Sequence, residues 1–230
     1  MGVSRLTEAE LARLVCQHFR EAHHEVYQEV QLRTGGPRAD IVTTLGPVVW
    51  VIEVKKSLSL SVLAQVMHWR GFAHRVSVAI PRPKNRSRGR SYAERCMRRD
   101  GIGMIQVSSF DVLHALDAAL FRKPPLVGLL RKNLCEEHKW YAEAGNAACK
   151  FWSPFKRTRN ALLDIAVKQP GIKFKQALDQ LDHHYATDKS ARASLWYYID
   201  TGVIDEVELR RDGKQLRLYP SKAGQGLLGL

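Results

Sequence analysis

Apolar and polar positions change period several times along this chain, and each change marks an element. Leu11, Leu14, Val15, His18 and Phe19 recur at helical spacing. Thr7 and Glu10 spell a capping box at the start of that helix, with Leu6 and Leu11 placed for a hydrophobic staple. Residues 25–32 then alternate as a strand does. Thr34-Gly35-Gly36-Pro37 is a turn cluster, Arg38–Leu45 is a second strand run ended by Gly46-Pro47, and Val48–Val54 is a third, rich in β-branched residues. Spacings this short favour antiparallel hairpins. A helix is predicted over 59–70, a strand over 75–80, a helix near 92–99, a short strand over 104–107 and a helix over 111–120 capped by Ser109. The order reads αβββαβ, then αβα.

Lys123-Pro124-Pro125 breaks this pattern, and 126–155 reads as a partly helical connector. Helices follow over 156–168, 174–183 and 188–200, with Pro170-Gly171 as a turn, Asp188 as a cap and Gly202 just past the last helix. Two alternating strands, 204–210 and 214–219, are joined near Asp212-Gly213, a strong hairpin signal. The expected division is therefore 1–122, a connector 123–155, and a smaller domain 156–230.

Composition narrows the function classes. With 45% hydrophobic and 26% charged residues, the 230-residue chain is neither disordered throughout nor too short for a core. Lys and Arg number 36 against 23 Asp and Glu, a net charge of +13, shared as +6 over residues 1–120 and +7 over 121–230. Such a field selects a polyanionic partner. No stretch approaches 18 apolar residues, the N-terminus lacks a signal-peptide core, and four scattered cysteines make no disulfide framework. The expectation is a cytoplasmic (nucleoid-associated) or nuclear protein, not secreted and not bound to a membrane.

The chemistry concentrates in Asp40, Glu53 and Lys55. Glu53 and Lys55 end an apolar strand two residues apart, so they share one face. If the preceding strand is its neighbour in register, Asp40 joins them. Two carboxylates suit Mg²⁺, the Val54 carbonyl supplies a further oxygen, and the ammonium stabilises developing charge. The bland alternative is an exposed Glu-x-Lys salt bridge, worth about 0–1 kcal/mol.

Residues 1–107, with Asp40 followed by Glu53-Val54-Lys55 on the next strand, resemble the PD-(D/E)xK nuclease superfamily of restriction, junction-resolving, repair and transposition enzymes. One departure is that Arg38 and Ala39 separate Pro37 from Asp40. The resemblance implies a restriction-endonuclease-like α/β core with a central mixed sheet and a Mg²⁺ or Mn²⁺ cofactor. It further implies hydrolysis of DNA phosphodiesters, with Asp40, Glu53 and Lys55 as site residues. Some branches add a Glu from the first helix, which maps to Glu10 or Glu8, and a polar residue from the next helix, which maps to Gln65. The capping box already explains Glu10, and Gln65 also fits a solvated helix face. Two active sites for double-strand cutting imply a homodimer. A recombinase or repair protein is a further expected partner, and a catalytically silent DNA binder on the same scaffold is the rival reading.

Eight basic residues and one acid lie between Arg82 and Arg99. Arg82, Lys84, Arg86, Arg88 and Arg90 fall in a Pro/Asn/Ser/Gly-rich stretch suited to clamping phosphates. The last third resembles a winged helix-turn-helix by element order. That implies a recognition helix over 188–200 with Lys189, Ser190, Arg192 and Ser194 facing DNA, and a wing armed by Arg210, Arg211, Lys214 and Arg217. Ala191, Leu195, Trp196 and Tyr198 are expected to pack the domain. Cys135, His138 and Cys149 are too few and too irregular for structural zinc.

Overall fold

The structure, a computed structural model, describes residues 6–33, 36–83, 85, 87–145 and 152–227. The chain divides into two compact units, Met1–Trp152 and Ser153–Leu230.

The first unit is a mixed sheet between helices. Helix α1 (Glu8–Glu21) begins at the capping box, with the Thr7 amide donating to Glu10 at 2.7 Å. Strands β1 (Glu25–Gln31), β2 (Arg38–Leu45) and β3 (Val48–Val54) follow as an antiparallel meander. The chain then crosses over through α2 (Leu60–His68) and a 3₁₀ turn, Trp69–Gly71, to β4 (Arg75–Pro81), parallel to β3. Helix α3 (Arg88–Asp100) carries it to β5 (Gly103–Val107), parallel to β4. Strand β6 (Val112–Leu116) pairs antiparallel with β5, giving the order β1-β2-β3-β4-β5-β6.

One sheet face packs Val51, Val78, Trp69, Met97 and Met104; the other packs Leu11, Phe19, Trp50, Ile52 and Ile105. Both faces are covered, which is why β3 and β4 read as mostly apolar runs.

Two elements of this sheet-and-helix layer differ from expectation. Residues 111–120 are not a helix: the open edge of β5 recruits 112–116 as β6, and a short apolar run carries no period strong enough to resist. Helix α3 starts at Arg88, capped by the Ser87 hydroxyl, rather than near Tyr92.

Residues 123–145 belong to the first unit. Helix α4 (Val127–Asn133) buries Leu130 completely in the first core face. Beyond the 3₁₀ turn Glu136–Lys139, the Ala144 and Gly145 amides donate to Gln28 and Glu29 on β1, each at 3.1 Å. Gly145 has φ +76°, and a Cβ there would stand 2.6 Å from the Glu8 backbone.

The second unit opens with Ser153 capping α5 (Pro154–Lys168) and Pro154 in the first turn. Then come β7 (Ile172–Lys173), α6 (Phe174–Gln180), α7 (Asp188–Asp200), β8 (Val207–Asp212), β9 (Gln215–Pro220) and α8 (Lys222–Leu227). Thr187, not Asp188, caps α7. The small sheet runs β7-β9-β8. Gly213, at φ 58°, makes the tight turn of the β8–β9 hairpin, between Asp212 and its partner Gln215. Leu162, Phe174, Leu195 and Leu218 fill the core.

Candidate functional site

The β2–β3 ladder ends at the Ile41–Ile52 pair. One step further, Asp40 and Glu53 lie level on the two strands. The Val54 amide, which has run out of β2 backbone, donates to Asp40 Oδ2 at 2.8 Å. Lys55 is held on the other side of β3 by its amide, which donates to the Ala79 carbonyl of β4 at 3.0 Å. Its ammonium reaches Asp40 Oδ2 at 2.6 Å and Glu53 Oε2 at 3.5 Å. The three groups anticipated from the sequence therefore meet where two strands part.

Their environments differ. Glu53 is 3% exposed and its Oε1 accepts from the Trp69 indole at 2.9 Å. Burial and then the neighbouring Asp40 charge push its carboxyl up to about 8, against the pull of Lys55 and the Trp69 bond. Burial opposes the charge on Lys55, but Asp40, Glu53 and Glu8 outweigh it and hold the ammonium above its ordinary value. Such a cluster is short of positive charge: one amine faces two carboxylates in a place that water reaches poorly.

Two carboxylates are what Mg²⁺ ordinarily takes from a protein, with waters completing its shell, so this donor set fits Mg²⁺ or Mn²⁺. The Val54 carbonyl leaves the strand on the same edge as its amide, toward Asp40. Among the described residues no group of three or more His, Cys, Asp or Glu side chains is gathered as a metal site.

Other anticipated residues are placed differently. Glu10 spends its carboxylate on Thr7 and is exposed. Glu8 lies nearer the cluster, accepting from the Lys56 amide at 3.3 Å. Gln65 is exposed on α2. A further acid was not anticipated: Glu29, level with Asp40 on β1, is 4% exposed and pairs with Arg38. In the sequence it is one polar residue in an alternating strand, and only the cover over both sheet faces buries it.

The basic stretch is not one loop. Arg82 contacts Asp111 at 3.4 Å on the surface. Arg88 is exposed in the first turn of α3. Arg90 is half-buried, pairs with Glu94 at 3.2 Å and, with Arg98 and Gln106, lines a polar cleft. Lys84 and Arg86 lie outside the described residues, as does Cys149. Cys135 Sγ sits 3.1 Å from His138 Nδ1.

On α7, Ala191, Leu195 and Ile199 face the core, while Lys189 and Arg192 are exposed. Ser190 is occupied by the Thr187 cap, and Ser194 is half-buried. Trp196, expected to pack, is instead 44% exposed on the same helix. The i, i+4 burial stripe through Leu195 leaves position 196 turned outward. On the hairpin, Arg211 and Lys214 are exposed at the tip. Arg210 pairs with Glu208, and Arg217 with Asp212 and the Gly171 carbonyl.

No family model matches the chain, and no curated protein matches it. A solved structure, the SPO1766 protein of unknown function from Silicibacter pomeroyi, is similar at a TM-score of 0.42 and 22% identity, over 58% of this chain and 85% of that one. No helix among the described residues is long and apolar enough to cross a membrane.

Proposed function

We propose that this chain is a metal-dependent DNA endonuclease of the PD-(D/E)xK type whose second unit is a winged helix. The observation that carries the reading is the Lys55 ammonium set against both Asp40 and Glu53 at 2.6 and 3.5 Å, at the end of one strand. Asp40 and Glu53 would hold Mg²⁺ or Mn²⁺, which supplies charge neutralisation at the phosphate and acidifies water. Lys55 keeps a fixed positive charge beside the carboxylates, where it stabilises charge developing on the phosphate or orients the attacking water. Trp69 fixes the Glu53 carboxylate by its indole N–H, and the Val54 amide fixes Asp40. Lys189, Arg192, Arg211 and Lys214 would meet the DNA backbone as positioning contacts. The topology of the second unit, with a helix, a short strand, two helices and a hairpin, supports the winged-helix assignment. A homodimer, or a recombinase or repair partner, completes the proposal for double-strand substrates.

The test is nicking of supercoiled plasmid, followed on a panel of linear, branched and single-stranded DNA. Cleavage is expected with Mg²⁺ or Mn²⁺, not with EDTA, and not by Lys55→Ala. Equal cleavage by wild type and Lys55→Ala overturns the assignment. DNA binding without cleavage under every condition leaves the silent binder as the function. Cleavage that appears only with added cell extract points to a subunit awaiting its partner.

A further inference from the structure

Glu29 has left-handed backbone, φ 54°, inside β1. For a residue with a Cβ this conformation is strained. The residue is also buried and acidic, where a β-branched side chain would suit a covered strand better. The irregularity shows in the packing. Val26 lies in the core face beneath α1 and Val30 in the opposite one, although unbroken alternation would put both on one side. Two contacts hold the Glu29 carboxylate: the Arg38 guanidinium, paired through Nε, and the Gly145 amide at 3.1 Å.

Glu29 falls between the Gln28–Ile41 and Val30–Ala39 pairs, level with Asp40. Its carboxyl senses the Asp40 and Lys55 charges, and burial keeps it above the usual carboxylate range despite Arg38. Arg38 precedes Asp40 by two residues on β2, about 7 Å along the strand. Its side chain is 35% exposed. The arrangement thus anchors a partly exposed arginine to a buried, strained acid that senses the charges of the Asp40, Glu53 and Lys55 cluster.

The geometry points to Arg38 as a substrate-phosphate contact of this site, with Glu29 as the positioning residue that fixes its guanidinium. This rests on the nuclease reading for the nature of the ligand, a phosphodiester backbone. A guanidinium fork matches phosphate oxygens. Held at Nε by a buried carboxylate, the side chain loses less rotamer freedom when it takes a phosphate. The anchor explains why an acid is kept at a position where neither the backbone nor the packing favours it.

Two readouts on the full chain test this. One is anisotropy with a short fluorescein-labelled DNA duplex across a potassium chloride series in EDTA. The other is single-turnover cleavage in Mg²⁺. Arg38→Gln, which can still hydrogen-bond Glu29, is expected to lower the salt slope by about one and the affinity roughly tenfold. Arg38→Lys should restore the slope but cleave roughly tenfold more slowly, because the fork is lost. Glu29→Gln should keep the slope and slow cleavage at saturating DNA. A merely structural role would lower its Tm and leave the rate of the folded protein unchanged.

A wild-type slope and affinity in Arg38→Gln overturns the inference. If that variant does not fold, a wild-type cleavage rate in Arg38→Lys overturns it instead. An unchanged Arg38→Gln slope beside a cleavage-dead Lys55→Ala removes the Arg38 contact and leaves the nuclease standing. A lowered slope in Arg38→Gln, beside a wild-type protein that cuts nothing, keeps the phosphate contact and removes the nuclease.

Discussion

The acidic cluster of the first unit and the basic surface of the second handle charge in opposite ways. In the first, Glu29, Asp40 and Glu53 lie level across three neighbouring strands, and Glu29 and Glu53 are almost wholly covered. In the second, Lys189, Arg192, Arg211 and Lys214 stand in solvent. A buried carboxylate is tolerated only with partners, and the first unit provides them: Arg38 and the Gly145 amide for Glu29, Trp69 and Lys55 for Glu53. Exposed cations need none and add little to stability. A substitution in the first cluster should therefore disturb fold and chemistry together, whereas one on α7 or the hairpin should alter binding alone.

Four expectations sharpen this contrast. The largest effect is expected at Lys55. Lys55→Ala should lower the single-turnover cleavage rate by about 10²–10³-fold or more. Without metal its Tm should also fall, because Asp40 then loses its ammonium partner beside Glu53, and Mg²⁺ should recover much of that loss in a thermal melt. Next is Trp69→Phe, which leaves a buried Glu53 oxygen without its donor. A loss of about 1–3 kcal/mol is expected by urea denaturation, together with slower cleavage.

The third expectation concerns pH. The folded chain keeps a proton on Glu53 up to about 8, whereas the unfolded chain releases it at about 4.3. The folded state thus binds more protons between those values, so the metal-free Tm should fall as pH rises through that window and level off above it. Lys55, whose pKa is raised, stays charged throughout and does not cancel the trend. Glu53→Gln should flatten the slope, and a slope unchanged in that variant would assign it to other groups. The smallest stability effect belongs to Arg192→Ala, within about 0.5 kcal/mol. The same variant should still lower the salt slope of DNA binding by about one.

Much of the candidate cluster was legible beforehand because it is encoded locally. The capping box fixes the start of α1, Gly46-Pro47 fixes the β2–β3 hairpin, and the hairpin register alone brings Asp40 level with Glu53. What was missed depends on tertiary cover. Val112–Leu116 has no decisive period, and the unfilled edge of β5 makes it a strand. Glu29 is indistinguishable in sequence from a solvated strand acid. The Gly145 amide, at the end of the returning segment, meets its carboxylate, a contact far off in sequence. Trp196 was misplaced for the converse reason: a large aromatic on an amphipathic helix is expected inside, but Leu195 already occupies the inward position.

The return of residues 136–145 to β1 decides where the gene can be cut. A fragment ending at Arg122 would strip Leu130 from the core and the Gly145 amide from Glu29. It would expose apolar surface and take one of two partners from a buried acid, and insoluble material is expected. A fragment carried through to Trp152 keeps every one of those contacts, and its expression would show whether the first unit stands alone.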